Sequence, residues 1–328
     1  MHILPKPTDI EAAALRLAPY TQLTPVLESR ALNDRIGCRV LLKAEMFQRT
    51  GSFKFRGAMN FLLQLPVETR ARGVVAFSSG NHAQGVAAAA AELGLAATIV
   101  MPKDAPVAKI AGTKAFGARV VFYDRQCDDR EIIARGIVNE TGAALLRPYD
   151  DATVLAGQGT VGLEFAHQAA QAGVTLDQVA VPCSGGGLVA GVSLGFLASG
   201  ARAKVLAVEP EDFDGMGRSL RAGRRLAAAG GPMSIADALM APMPGVIPFA
   251  VAEQTLAGGV AVSDTELARA VAYALQVLKL VVEPGGAAGL AALLAGKFVH
   301  GSAVGVILSG GNCDPERLVA CCNRWPEP

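Results

Sequence analysis

Residues 74–101, VVAFSSGNHAQGVAAAAAELGLAATIVM, contain the pattern that decides the fold class. The apolar run Val74–Phe77 predicts a strand, and the alanine-rich run from Ala83 to Leu93 predicts a helix that ends at Gly94. A second strand is predicted from Ala97 to Met101. Strand, helix and strand in this order are typical of parallel strands joined by crossover helices, so we expect an α/β protein.

The same alternation continues along the rest of the chain. It predicts further strands over residues 119–123, 144–146, 179–181, 204–208 and 304–308. It predicts further helices over residues 103–116, 131–141, 188–197, 264–278 and 285–294. Because the strands fall into two series, the first ending at residue 146 and the second beginning at residue 179, we expect two open, twisted α/β lobes.

Composition limits the kinds of ligand that the chain can bind. The 328 residues are 51% hydrophobic, which is enough for two lobes with cores of their own. The formal net charge is +1 and only 18% of the residues are charged, so the sequence predicts no basic surface for nucleic acid. A small molecule is therefore the expected partner.

The sequence also predicts the compartment of the protein. Its apolar runs are interrupted by Gly, Pro or charged residues before the ~18 residues that a membrane-spanning helix needs. The N-terminal segment lacks the apolar core of a signal peptide. The six cysteines are scattered, without a pair at zinc-knuckle spacing, as expected of thiols in a reducing compartment. We therefore expect a cytoplasmic protein that does not span a membrane.

Lys54 is the first candidate for chemistry. It stands in residues 48–58, QRTGSFKFRGA, between a glycine turn and an apolar flank. A lysine whose stem is held in apolar surroundings loses proton affinity and can act as a Schiff-base nucleophile. By itself the pattern also fits a solvated, structural lysine.

Three loops follow predicted strands and carry polar residues. Ser184–Leu188 (SGGGL) opens a helix, so its backbone N–H groups favour a phosphate, although a glycine turn without a ligand is the alternative. Ser78–His82 (SSGNH) suits a substrate carboxylate, unless Ser or Asn only caps the following helix; a structural role is expected for His82. Ser309–Asn312 (SGGN) ends the last predicted strand, where its hydroxyl can reach a ring nitrogen, although in isolation the tetrad also fits a plain turn.

Together these motifs resemble the serine/threonine dehydratase and serine racemase family of fold type II pyridoxal-phosphate enzymes. The resemblance covers almost the whole chain and implies two open α/β lobes of the tryptophan synthase β-like architecture. It implies a large cofactor-binding domain of residues 1–69 and 148–328, a small mobile domain of residues 70–147, and a homodimer. The segments that carry it are Thr24-Pro25, Lys43–Glu45, Ser52–Lys54, Ser78–His82, Ala156–Thr160, Ser184–Leu188, Glu283-Pro284 and Ser309–Asn312.

The family's assignments imply roles for individual residues. Lys54 is the implied Schiff-base lysine and α-proton base, and Ser79 is the implied second catalytic residue, on the opposite face of the substrate. Pyridoxal phosphate would be bound by Phe53 at its ring, Asn81 at its phenolic oxygen, Gly185, Gly186, Gly187 and Leu188 at its phosphate, Ser309 at its pyridine nitrogen, and Glu283. The substrate would be bound by Ser78, Ser79, Gly80, Asn81, His82 and Arg130.

The resemblance implies a reaction but leaves its substrate open. The main expectation is β-elimination of water from L-threonine or L-serine, which yields a 2-oxo acid and ammonia. A 3-hydroxyaspartate dehydratase is an alternative, because Arg130 or Arg147 could bind a second carboxylate, although surface salt bridges are the more usual role of arginines. Racemisation of serine or aspartate, with Ser79 as the second proton donor, is another. A non-enzymatic relative that only senses a ligand is disfavoured by the intact Lys54.

A divalent cation, Mg²⁺ or Mn²⁺, is also implied by the family but is left open. Relatives use a glutamate after the strand at 204–208, a backbone carbonyl, and an aspartate six residues beyond the glutamate. Glu209 and the carbonyl of Phe213 match, but the aspartate position holds Gly215. Asp214 could replace the missing ligand only if the loop shifts.

Overall fold

A computed structural model describes residues 3–105, 107–298 and 301–325, with the side chain of Ala108 left out. The strands are β1 Val26–Glu28, β2 Arg39–Ala44, β3 Val74–Phe77, β4 Ala97–Pro102, β5 Arg119–Tyr123, β6 Ala144–Leu146, β7 Gln178–Pro182, β8 Lys204–Pro210, β9 Gly258–Val262 and β10 Ala303–Leu308. The helices are α1 Pro7–Leu17, α2 Arg30–Ile36, α3 Lys54–Leu63, α4 Val67–Arg70, α5 Asn81–Glu92, α6 Val107–Ala115, α7 Arg130–Thr141, α8 Ala152–Gln171, α9 Gly187–Ala198, α10 Gly215–Ala222, α11 Val246–Thr255, α12 Asp264–Gln276, α13 Ala288–Leu294 and α14 Pro315–Arg324.

Two sheets organise the chain, as the sequence predicts. One has six strands in the order β1-β2-β10-β7-β8-β9, and the other has four in the order β5-β4-β3-β6. All strand pairs in the four-stranded sheet are parallel, and in the six-stranded sheet only β1 pairs antiparallel, with β2. The predicted α/β class with two lobes is confirmed. The strands of the smaller sheet all fall within residues 70–147, although the division into a fixed and a mobile domain stays a prediction.

The predicted element boundaries agree with the structure to within two residues, except for two helix starts that differ by more for local reasons. The helix predicted from residue 103 begins at Val107. Lys103 instead continues the sheet edge, because its N–H donates to Tyr123 O at 2.9 Å, and Ala105 precedes a proline, a position that disfavours helix. The helix predicted from residue 285 begins at Ala288, because Gly286 lies against the backbone of Gly310.

Small residues set the spacing between the helices that carry the site. A Cβ at Gly157 would lie 2.7 Å from Gly57 Cα, so α8 contacts α3 backbone to backbone. A Cβ at Gly159 would lie 2.8 Å from Gly191 O, so α8 contacts α9 in the same way. The Ala156–Thr160 motif therefore explains helix packing: it fixes the start of α3, which is Lys54, relative to the start of α9.

No helix within residues 3–105, 107–298 and 301–325 combines the length and the apolar character needed to cross a membrane.

Candidate active site

One pocket at the carboxyl ends of the strands brings the predicted site residues together. The loops after β3, β7 and β10 meet there, as expected of a ligand site in parallel α/β sheets. The predicted cofactor and substrate residues that line it are Phe53, Lys54, Ser78, Ser79, Gly80, Asn81, His82, Arg130, Gly185, Gly186, Gly187, Leu188, Glu283 and Ser309. Their individual roles stay predictions.

Lys54 is the first residue of α3. Its Nζ donates to the carbonyl of Pro148 at 2.8 Å and lies 5.1 Å from the centroid of the Phe53 ring. Burial lowers its pKa from 10.5 to about 8. A substantial fraction of this amine is therefore neutral near physiological pH, as a nucleophile or a proton acceptor requires.

The start of α9 offers free backbone donors to an anion. The N-cap is Gly186, with φ +94°, and no side chain caps the helix. Gly185 lies under the ring of Tyr149, with which a Cβ at this position would collide. The N–H groups of this turn therefore face the pocket without a side-chain acceptor, and the positive helix end favours a phosphate there.

The start of α5 also lacks a side-chain cap, so Ser and Asn of this loop do not simply cap the helix. Its N-cap is Gly80, and no side chain caps the helix. Ser78 Oγ accepts from the N–H of Gly80 at 3.2 Å, and Asn81 Nδ2 donates to Glu283 Oε1 at 2.5 Å. A substrate carboxylate can therefore reach backbone donors at this second helix end.

Two buried titratable residues line the pocket near Asn81. Burial lowers the pKa of His82 to about 3, so its ring is neutral, and its Nε2 lies 3.3 Å from Leu146 O. This environment supports the structural role expected for His82. Burial raises the pKa of Glu283 to about 7, against the hydrogen bond from Asn81. Ser309 is anchored nearby, since its carbonyl accepts from the N–H of Phe53 at 3.2 Å.

The structure adds pocket residues that sequence reasoning missed. Lys109 Nζ lies 2.7 Å from Asp237 Oδ2, and both side chains line the pocket together with Tyr149. Lys109 belongs to α6 and Asp237 to a short 3₁₀ helix, so this ion pair joins the two lobes. No local sequence pattern predicts an ion pair between two residues that lie 128 positions apart in the sequence. Tyr149 follows the Arg147-Pro148 segment, but only the fold brings its ring to Gly185.

The proposed cation ligands lie outside this pocket. Glu209 follows β8 as expected, but its two oxygens accept from the N–H groups of Met216 and Gly217, both at 2.8 Å. Burial raises the pKa of Glu209 to about 8, and Asp214 pairs with Arg221 at 3.4 Å. Among the described residues no three His, Cys, Asp or Glu side chains form a metal-binding group. This arrangement does not fit a hard divalent cation.

The pocket does fit pyridoxal phosphate. It combines an amine of lowered pKa with a helix start that no side chain caps and with polar side chains, Asn81 and Ser309, on its walls. These are the donors that a phosphorylated, covalently held pyridine aldehyde needs.

Known proteins share both the sequence and the architecture. A family profile described as "Pyridoxal-phosphate dependent enzyme" matches residues 17–310. The L-threo-3-hydroxyaspartate ammonia-lyase of Saccharomyces cerevisiae is 43% identical over 96% of this chain and 95% of its own length. A threonine deaminase from T.th. is 44% identical with a TM-score of 0.89, covering 94% of this chain and 99% of that one. Maize serine racemase has a TM-score of 0.91 at 36% identity, covering 98% of each chain.

These findings confirm the predicted resemblance to fold type II enzymes, the predicted cofactor and the predicted ammonia-lyase type of enzyme. The chain is a member of the pyridoxal-phosphate dependent enzymes.

Proposed function

We propose that the protein eliminates water from a 3-hydroxy amino acid, releasing a 2-oxo acid and ammonia, and that L-threo-3-hydroxyaspartate is its preferred substrate. This order of preference differs from the sequence-based one, which places threonine and serine first. The observation that carries it is an arginine in the pocket, Arg130, for which the described residues provide no ion-pair partner.

Arg130 is the first residue of α7, and its Cζ lies 5.4 Å from the centroid of the Phe77 ring on the pocket wall. Among the described residues it forms no ion pair, whereas Arg147 lies 3.3 Å from Glu131 Oε1. Of the two arginines that the sequence left open, Arg130 is therefore available to a ligand. The uncapped start of α5 suits the α-carboxylate, so a dicarboxylic substrate would satisfy both sites.

Pyridoxal phosphate, when bound, supplies an electron sink for the bond-breaking steps. Lys54 would hold the cofactor and then accept the α-proton at Nζ, for which a pKa of about 8 is well matched to neutral pH. The N–H groups at the start of α5 would orient the substrate through its α-carboxylate. Loss of the 3-hydroxyl as water, followed by hydrolysis, converts 3-hydroxyaspartate to oxaloacetate and ammonia.

The test compares kcat/KM for Arg130→Ala and for Arg147→Ala, its matched control, on L-threo-3-hydroxyaspartate, L-threonine and L-serine. Loss of a charge-assisted carboxylate contact predicts a drop of roughly 10–100-fold for Arg130→Ala on 3-hydroxyaspartate alone. Arg147→Ala should keep the wild-type ratios of kcat/KM among the three substrates. Equal losses on all three substrates, or no loss, would contradict the role given to Arg130.

Threonine and serine are the second candidates. The pocket wall also contains the apolar side chains of Leu239, Met240 and Ala241, which could contact a methyl group. Similarity to the threonine deaminase from T.th. supports the same reaction on these amino acids. A higher kcat/KM on threonine than on 3-hydroxyaspartate would favour them.

Racemisation of serine or aspartate is the remaining candidate. Ser79 lines the pocket, where its hydroxyl could return a proton to the α-carbon. The likeness to maize serine racemase supports this possibility. Chiral chromatography of L-serine and L-aspartate after incubation with the enzyme tests it, and the absence of the D-enantiomer would exclude it.

We also propose that the protein is a cytoplasmic homodimer. All six cysteines are free, as expected of a protein kept in a reducing compartment. The homodimer rests on the family resemblance alone. Light scattering after size-exclusion chromatography would give twice the chain mass of 33.7 kDa.

A further inference from the structure

We propose that Asn312 is a positioning residue that fixes the direction of the Asn81 amide, so that Asn81 presents an N–H group to the phenolic oxygen of the cofactor. The inference depends on the binding of pyridoxal phosphate, which the proposed function also needs, but not on the substrate or the reaction. It can therefore fail or succeed separately from that function.

One backbone carbonyl sets the direction of the whole hydrogen-bond chain. Thr50 O can only accept, and it lies 2.8 Å from Asn312 Nδ2, which must therefore be the amide nitrogen. The same nitrogen donates to Asn81 Oδ1 at 2.8 Å. Because its oxygen is thus occupied, Asn81 turns its Nδ2 to Glu283 Oε1, at 2.5 Å.

One hydrogen of Asn81 remains available to a ligand. Its Nδ2 carries two hydrogens, and Glu283 accepts one of them. Asn81 lines the same pocket as Lys54. These hydrogen bonds therefore make Asn81 a donor on the pocket wall. A donor favours a negatively charged ligand oxygen over a protonated one.

The backbone around Asn312 is shaped to seat it. Thr50 is β-branched yet has φ +64°, a conformation that such residues rarely adopt. The next residue, Gly51, has φ +71°, and a Cβ there would lie 2.5 Å from Asn312 Oδ1. Gly311 N–H donates to Gly51 O at 2.9 Å and joins the two loops. Thr50, the residue in this rarely adopted conformation, therefore supplies the carbonyl that orients Asn312.

Glu283 is the last residue in this series of hydrogen bonds, and several charges act on it. Lys109 and Arg317 favour its ionised form, and Asp237 opposes it. A Cβ at Gly310 would collide with Glu283 Oε1, so the glycine leaves room for this carboxyl group. Either protonation state of Glu283 leaves an oxygen that accepts from Asn81, so the direction of the chain is preserved.

The test is a pH titration of the absorbance of the bound cofactor, without substrate, in wild type, Asn312→Asp and Asn33→Asp. An aspartate at 312 can only accept, so it would reverse Asn81 and turn its oxygen to the phenolic group. We expect the titration midpoint to rise by about one pH unit or more, a tenfold change in acid constant. Asn33 is the matched control, since its side-chain Nδ2 is also a hydrogen-bond donor, to Glu28 Oε1 at 2.8 Å, but it lies outside the pocket.

A midpoint unchanged in Asn312→Asp, with pyridoxal phosphate bound, would overturn the proposal, as would an equal shift in Asn33→Asp. If the aspartate variant does not fold, Asn312→Ala decides, because it removes the constraint on Asn81 without introducing a charge. Its midpoint must also rise while its circular dichroism matches that of wild type. A wild-type midpoint in that variant would equally refute the role of Asn312.

Discussion

Replacing Lys54 with methionine is expected to stabilise the cofactor-free protein at neutral pH. Burial lowers the pKa of Lys54 to about 8, whereas an unfolded lysine keeps 10.5. Between these pH values the unfolded chain binds more protons than the folded one, so stability rises with pH across the interval. Below pH 8 the wild type therefore carries the full cost of this buried amine.

The magnitude follows from the shift. A difference of about 2.5 pKa units corresponds to about 3 kcal/mol at pH 7. Methionine keeps the apolar volume but removes the hydrogen bond from Nζ to Pro148 O, which is worth about 1 kcal/mol. The expected net gain for Lys54→Met is about 2 kcal/mol at pH 7, and it falls to near zero at pH 10.

Urea unfolding of the cofactor-free proteins, followed by circular dichroism at pH 7 and pH 10, measures this difference. Lys103→Met is the matched control, because Lys103 is exposed, and it should leave stability unchanged at both pH values. A Lys54→Met protein that is less stable than wild type at pH 7, or a gain that does not depend on pH, would refute the reasoning.

Three further predictions concern groups around the site. Arg56→Met should destabilise the fold by about 3–5 kcal/mol in urea unfolding, because it leaves the buried Glu45 without the guanidinium 2.8 Å away. Lys109→Ala should raise KM, because it removes the ion pair with Asp237 between the lobes. The double variant Lys109→Asp with Asp237→Lys reverses the pair and should bring KM part of the way back to the wild-type value. The folded pKa of Glu283, about 7, exceeds its reference of 4.5, so the stability of the cofactor-free protein should fall as pH rises from 5 to 8. Glu283→Gln should remove that part of the pH dependence, as thermal unfolding across this range would show.

Local patterns predicted much of this molecule, because local chemistry produces it. The run from Val74 to Met101 forms its strand, helix and strand through hydrophobic pattern and glycine signals alone. The loop at Ser184 meets the pocket because a parallel sheet places every strand's carboxyl end at one edge. The apolar flank of Lys54 allowed a lowered pKa, although the lowering itself comes from burial in the folded protein.

The remaining features depend on contacts between distant segments. The acceptor for Lys54 is the backbone carbonyl of Pro148, 94 residues away. Every residue has such a carbonyl, so the sequence does not show which one accepts. The choice between Arg130 and Arg147 depends on which one Glu131 neutralises, and that is decided by the geometry of α7. Glu209 likewise loses its availability to a cation only because α10 begins beside it.

Covalent mapping tests whether Lys54 holds pyridoxal phosphate in this pocket. The holoenzyme is reduced with sodium borohydride, which makes the bond between the cofactor and its lysine permanent, and is then digested for peptide mass spectrometry. We expect a phosphopyridoxyl group on Lys54, and we expect Lys54→Ala to lose both this label and the formation of 2-oxo acid. A label on another lysine, or full activity in that variant, would refute the role of Lys54.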